Sequence, residues 1–563
     1  MEVSQTRQFL LLMPKMVKVP PVKALSLMKF FIPNDLEHTH QSFSFILYNL
    51  LSCNFMPQAE AILLKLLSGR LNAPSSIRPS SLVQSFTHQF PNSGPICGLL
   101  YEAILNACVQ SRLLEEALYY FNQMTDRGFV PRSNCFNALL ILLINTENFD
   151  RAWWAFSLSK DKVQLDVYSF GIMIKGCCEA NDMIKAFEVL ALLEEVGLSP
   201  NVVIYTTLID GCCKNGHIDR AKELFFKMED LGLVANQHTY TVLMNGFFRK
   251  GLKEDGFWLF ERMKEIGIVP NIYAYNSIMN EFCKDGRVSR AFILFDEMRE
   301  SGVTCNLVTY NTLIRGLCRE QRVWEADKLA IQMKNHCLNP NLITYNILIY
   351  GFCNVGKLEK ALSLFDQLMS GGQSPSLVTY NILIWGFSRV GNFTMASNLA
   401  REMKGRGIFP SEVTYTILID AFIRWDNIEK GFEVYSSMLN AGLKADVSTI
   451  GALVNGLCGK GDMKEASKLF KSMVEMKLEP NDVIYNVMIN GYCKERNSYR
   501  ALRLLREMMA HGMVPNIASY CSTIGVLCKD GKWKEAQALV EEMQDLGLKP
   551  SVFIYNMVSQ AKC

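Results

Sequence analysis

A chain that repeats itself at a fixed interval cannot fold as an ordinary globule, because each unit buries its apolar face against the next copy. Three consecutive stretches show the interval: NLVTYNTLIRGLCREQRVWEADKLAIQMKNHCLNP (306–340), NLITYNILIYGFCNVGKLEKALSLFDQLMSGGQSP (341–375) and SLVTYNILIWGFSRVGNFTMASNLAREMKGRGIFP (376–410). A tyrosine, a Leu-Ile pair, a mid-unit alanine and a closing proline return in phase every 35 residues. Thirteen units begin at Gly98, Ser133, Val167, Val202, Gln237, Ile272, Leu307, Leu342, Leu377, Glu412, Val447, Asp482 and Ile517. The unit from Ser133 to Asp166 is one residue short, and a truncated unit occupies 552–563. Residues 42–76 read as a degenerate unit, with Phe45 and Ala61 in phase, and the Ser/Pro-rich stretch 77–97 reads as a spacer.

Within a unit the apolar phase is helical. Tyr310, Leu313, Ile314 and Leu317 fall at i, i+3, i+4 and i+7. The polar run Glu320, Gln321 and Arg322 breaks this helix, Ala326, Leu329 and Met333 mark a second, and Pro340 forbids its continuation. The mid-unit position is alanine in eleven units and glycine in two, Gly256 and Gly431, which signals close helix–helix approach. The expectation is an all-α solenoid of stacked helical hairpins.

Composition narrows the chemistry. A net charge of +3 does not mark the whole chain as a nucleic-acid binder, so any basic surface depends on where the charges fall. No run of apolar residues suits a membrane-spanning helix. Of the 18 cysteines, eight (Cys178, Cys213, Cys283, Cys318, Cys353, Cys458, Cys493 and Cys528) hold one repeat position, and no Cys-x-x-Cys pair occurs. They read as buried packing residues of a protein kept in a reducing compartment. GFCNVGKL (351–358) carries two glycines and a lysine at phosphate-loop spacing, but lacks the following Ser/Thr and a preceding strand. No His/Cys/carboxylate set has ligand spacing, so no metal, cofactor or catalytic site is expected. Residues 1–35 are apolar, basic and acid-poor, with Arg7, Lys15, Lys18, Lys23 and Lys29 against Glu2 and Asp35. They read as an organelle transit peptide, with a basic tail as the alternative.

The period, the hairpin pattern, the VTYNTLI-x-G-x-C core, the mid-unit alanine and the closing proline followed by Asn, Asp or Ser resemble the pentatricopeptide repeat family over residues 98–563. The near-uniform unit length resembles its P class. The resemblance implies single-stranded RNA binding, one base per repeat, read by a few side chains. By that resemblance, the residue after the helix-opening tyrosine and the last residue of the repeat read the base edge. The residue two before the tyrosine stacks on the base; these are Val203, Val308, Ile343, Val378, Val413 and Val483.

The reading pairs are Asn137/Asp166, Thr206/Asn236, Thr241/Asn271, Asn276/Asn306, Asn311/Asn341, Asn346/Ser376, Asn381/Ser411, Thr416/Asp446 and Asn486/Asn516. An aspartate can only accept a hydrogen bond and suits the ring N–H of G or U, whereas an asparagine can also donate to the ring acceptors of A or C. Threonine leaves room for a purine, and the longer asparagine reaches a pyrimidine. Glu102/Arg132, Gly171/Asn201, Gly451/Asn481 and Cys521/Ser551 give no reading. Read 5′ to 3′, the expected tract is NUNAAYYCCGNYN.

Lys214, Arg249, Lys284, Arg319, Arg389, Arg424, Lys494 and Lys529 share one position just past the first helix. A stripe of cations suits a phosphate backbone, and the resemblance assigns this position to phosphate contact. The same charges also complement a helix C-terminus. The expected partner is single-stranded organellar RNA, together with other RNA-processing proteins. The expected setting is the mitochondrion, with the chloroplast as alternative, and the expected outcome intron splicing, transcript stabilisation or translation. Two rival classes are a protein–protein scaffold, which need not restrict its reading pairs, and a nuclease, which would need an acidic metal site beyond the repeats.

Overall fold

The computed structural model describes residues 40–67, 79–90, 94–160, 163 and 165–562. The basic segment 1–35 lies outside them. The described residues form an α-solenoid of thirty helices in tandem, without a strand among them. They divide into two compact units, one ending at Ser277 and the other beginning at Ile278, with the division inside the helix Ile272–Lys284.

Within each unit the hairpin is the building block. In one, Val202–Lys214 and Ile218–Asp230 form the two arms, and the first arm also packs on the first helix of the next hairpin, Gln237–Arg249. Each hairpin turn needs a left-handed residue, supplied by Gly216 at φ +78° and, where no glycine is present, by Gln321 at φ +61°.

Two residue columns set how closely neighbours approach. A β-carbon on Gly386 would lie 2.5 Å from the Cys353 Sγ of the preceding hairpin, and Gly316 and Gly351 meet Cys283 and Cys318 in the same way. The cysteine column is therefore the inter-repeat contact, and glycine is the residue that admits it. Burial pushes the Cys178, Cys213, Cys318 and Cys353 thiols up to about 12, so they stay neutral packing groups. Aromatic pairs recur across the second-to-first helix contact: Phe225 with Tyr240 at 5.3 Å, Phe260 with Tyr275 at 5.5 Å and Phe470 with Tyr485 at 5.3 Å, all edge-on.

The two glycine exceptions at the mid-unit position have a packing cause. Where Gly256 replaces alanine, Phe248 stands in the cysteine column, and its ring fills the space a β-carbon would need. Gly431 is likewise paired with Ile423, 3.3 Å from the same hypothetical carbon.

One expectation is revised. Residues 79–89, expected within a spacer, form the helix Pro79–Gln89, which packs on the helix His40–Ser52. Leu82, Val83 and Phe86 are buried, and Tyr48 stacks on Phe90 with ring centroids 4.0 Å apart. The Ser/Pro composition hid this helical spacing, and proline is at home in a first helical turn. The next helix, Gly94–Gln110, starts four residues ahead of Gly98 and takes Pro95 into its first turn.

Candidate nucleic-acid interface

Two kinds of position make up each reading pair. The last residue of a repeat is the N-cap of the next first helix. Asn236 accepts from the Thr239 amide at 3.0 Å, Asn341 from the Thr344 amide at 3.0 Å and Asp446 from the Thr449 amide at 2.7 Å. The residue after the tyrosine is recessed: Asn137, Thr206, Thr241, Asn276, Asn311, Asn381 and Asn486 are buried, whereas Asn346 and Thr416 are half-buried. Asn271, Asn306, Ser376, Ser411 and Asn516 also lie at helix N-caps or accept a first-turn amide.

The residues between these positions tie them together. Thr344 donates to Asn311 Oδ1 at 2.8 Å and lies 3.1 Å from Asn341 Oδ1. Thr414 donates to Asn381 at 2.7 Å, and Ser519 donates to Asn486 at 2.6 Å. In the threonine repeats, the Thr206 and Thr239 hydroxyls are 2.7 Å apart, as are those of Thr416 and Thr449. Asn137 differs: its amide nitrogen donates to Asp166 Oδ1 at 3.3 Å, and Ser169 is bound to that same carboxylate oxygen at 2.7 Å. Burial by itself would raise the Asp166 carboxyl, but the Ser169 hydroxyl and amide and the Asn137 amide hold it below the usual range. Asn137, Asn276 and Asn346 each keep a buried carbonyl oxygen with no partner among the described residues.

The stacking candidates stand out from this floor. Val203 is 65% exposed and Val483 59%, unusual for apolar side chains on helices whose other apolar residues are mostly buried. Val308, Ile343, Val378 and Val413 are equally open. A cleft of about 270 Å³ brings Val203, Thr206, Asn236 and Lys214 to one place. A second, of about 640 Å³, gathers Ile343, Asn346, Ser376, Val378 and Arg319. Each holds an apolar wall, two hydrogen-bonding side chains and a cation.

The cation stripe is less positive than its residue types suggest. Lys214 pairs with Asp210 at 2.6 Å, Lys284 with Glu281 at 2.5 Å and Arg424 with Asp420 at 2.8 Å. Arg389 donates to Asn354 at 2.7 Å and lies over the Trp385 ring. Arg249, Arg319, Lys494 and Lys529 are exposed at the ends of their helices.

Several residues with suitable chemistry escaped the sequence reading. Tyr168 and Tyr273 occupy the stacking column and are 62% and 69% exposed, so an aromatic there was discoverable by aligning the repeats. Tyr350 and Trp385 stack at 5.3 Å with an interplanar angle of 19°, a platform that no repeat motif announces. Glu102, in a repeat with no reading, is buried against Arg132 at 3.5 Å, and burial raises its carboxyl while Arg132 opposes the shift.

No cluster of three or more His, Cys, Asp or Glu residues that could hold a metal occurs among the described residues. No helix among them is long and apolar enough to cross a membrane.

Comparison with known proteins bears on the same repeats. The profile described as PPR repeat family matches residues 200–249, 241–283, 270–319, 306–354, 340–389, 375–424, 480–529 and 515–563. The profile described as pentatricopeptide repeat domain matches 157–215 and 433–495. A pentatricopeptide repeat-containing protein of Arabidopsis thaliana is 54% identical over 204 residues, 36% of this chain and 36% of its own. Another from that plant, named as mitochondrial, is 30% identical over 76 residues, 13% of this chain and 12% of its own. The match thus spans about a third of the first relative's length, 36%, and less of the second's. Among solved structures, the pentatricopeptide repeat protein PPR10 from maize superposes with a TM-score of 0.62 over 93% of this chain and 82% of its own, at 23% identity, a likeness of fold.

Proposed function

Because this chain belongs to the pentatricopeptide repeat family, we propose that it binds one tract of single-stranded RNA, one base per repeat, as a P-class member. The observation that carries the reading is the recurring cleft in which Val203, Thr206, Asn236 and Lys214 converge. In this reading the apolar wall stacks on a base face, the paired side chains meet its edge, and the cation meets the phosphate. The recessed position after the tyrosine suits a single strand, whose unpaired bases can enter a crevice that a duplex cannot.

The bound protein acts by occupancy. It keeps its tract single-stranded, shields it from nucleases or holds an intron in a spliceable form, with RNA-processing proteins supplying the chemistry. The mitochondrion is the proposed setting, supported by the basic segment 1–35 and by the relative named as mitochondrial. The proposal is tested by measuring affinity for a 13-nucleotide RNA of the sequence NUNAAYYCCGNYN, for a scrambled strand and for the matching duplex. The matched single strand should bind at least about tenfold tighter than either. Equal affinity for the duplex would contradict single-strand recognition.

A further inference from the structure

The thirteen repeats form an internal comparison. In all six repeats with an asparagine after the tyrosine position, from Asn137 to Asn486, the residue just before the next repeat's corresponding aromatic is a serine or threonine, from Ser169 to Ser519. Thr206 and Thr416 have one too, in Thr239 and Thr449. Where the reading position is Glu102, Gly171, Gly451 or Cys521, the place is taken instead by Cys135, Ile204, Ile484 or Ile554. Helix capping does not require this pattern, because Asn201 and Asn481 cap through the Ile204 and Ile484 amides at 3.0 and 3.1 Å with no hydroxyl present. The hydroxyl therefore follows the reading side chain, not the cap.

We infer that this hydroxyl is a specificity-setting positioning residue, an inference that rests on the RNA-reading proposal. It acts on the base through the side chain it holds. Thr344 has one proton and two acceptors in reach, Asn311 Oδ1 at 2.8 Å and Asn341 Oδ1 at 3.1 Å. With its carbonyl oxygen engaged by Thr344, Asn311 keeps its NH2 as the free edge and meets the base as a donor. The hydroxyl's other choice is the cap: Thr309 binds Asn306 Oδ1 at 3.2 Å and Thr379 lies 3.1 Å from the Ser376 hydroxyl, and the Asn276 and Asn346 carbonyl oxygens then keep no partner among the described residues. Asp166 can only accept; it takes both the Ser169 hydroxyl and the Asn137 NH2, leaving the Asn137 carbonyl oxygen unpartnered and the side chain an acceptor. One residue type thus presents opposite hydrogen-bonding edges, according to how the shared hydroxyl is bound.

The test uses the full chain with Thr344→Val and Thr344→Ser, measuring affinity for RNAs that carry a pyrimidine or a purine at the seventh nucleotide. Thr344→Val should lose about threefold or more of the pyrimidine preference at that nucleotide, with preferences at its neighbours unchanged, and Thr344→Ser should retain it. A gain-of-function arm removes dependence on the stability of the valine variant. Thr241 lacks the hydroxyl because Ala274 stands in its place, and Ala274→Ser should sharpen the adenine preference at the fifth nucleotide. Full pyrimidine preference in Thr344→Val, or an equal loss of affinity for every RNA, would overturn the inference. A wild-type protein that shows no preference at the seventh nucleotide would instead overturn the RNA-reading proposal itself.

Discussion

The Phe248 ring occupies the space that a β-carbon on Gly256 would require. Both residues depart from their columns, and each explains the other: a large side chain in the cysteine column is accommodated by removing the alanine methyl opposite. Gly256→Ala should therefore destabilise its hairpin by about 1–3 kcal/mol through overpacking, against a helix-propensity gain of about 1 kcal/mol. Adding Phe248→Cys should reverse the effect, because cysteine with alanine is the pair at Cys213 and Ala221. Hydrogen exchange of the two helices concerned is the measurement, since opening in a solenoid is local.

The ion pairs along the cation stripe predict an asymmetric response to charge changes. Arg319 is exposed, and Arg319→Gln should lower the salt dependence of RNA binding by about 0.7 in slope, the value for one phosphate of a single strand. Asp420 holds Arg424 at 2.8 Å; on the proposed phosphate role of Arg424, Asp420→Asn should free the cation and tighten RNA binding at low salt. Affinities measured from 50 to 300 mM salt, as assay conditions of about that range, check both slopes.

The buried thiols predict a pH dependence. Their folded-state values, pushed up to about 12 for Cys178, Cys213, Cys318 and Cys353, exceed the ordinary thiol value of 9.0. The unfolded chain therefore loses these protons first. Their contribution to stability is fully present below pH 9.0 and is lost as pH rises toward about 12. Tyr380, Tyr485 and Tyr520, raised by burial from 10.0 to about 12, add to the loss above pH 10.0. Urea midpoints should stay flat in these groups through neutral pH and fall on the alkaline side. In the native protein, maleimide should label the exposed Cys337 well before buried Cys353.

The hairpin solenoid was legible because its cause is periodic. Tyr310, Leu313, Ile314 and Leu317 recur with the helix, and so does the glycine–cysteine contact. The helix Pro79–Gln89 was missed because it belongs to no repeat and carries a loop-like composition. For the candidate site, sequence columns located residues but not their bonds. Apart from Arg132, the last residue of every repeat is Asn, Asp or Ser. The caps at Asn201 and Asn481, in repeats whose preceding reading position is glycine, account for it without RNA. The restriction of the residue after the tyrosine is the stronger signal, because it travels with a hydroxyl 33 residues on, as in Asn311 and Thr344. The acids that pair with Lys214, Lys284 and Arg424 stand one turn back in the sequence, outside the cation column, so the column alone overstates the charge.

The central claim, that each repeat reads one base, is tested most directly at Thr416. Its hydroxyl lies 2.7 Å from that of Thr449, which donates to Asp446 at 2.6 Å. Thr416→Asn recreates the Asn137/Asp166 combination, expected to read U, and leaves the Asp446 cap in place. Affinities of the wild type and the variant are measured for two RNAs that differ only in G or U at the tenth nucleotide. The wild type should favour G and the variant U, each by about fivefold or more, the discrimination expected of a good base contact. An identical preference in both proteins would contradict the account.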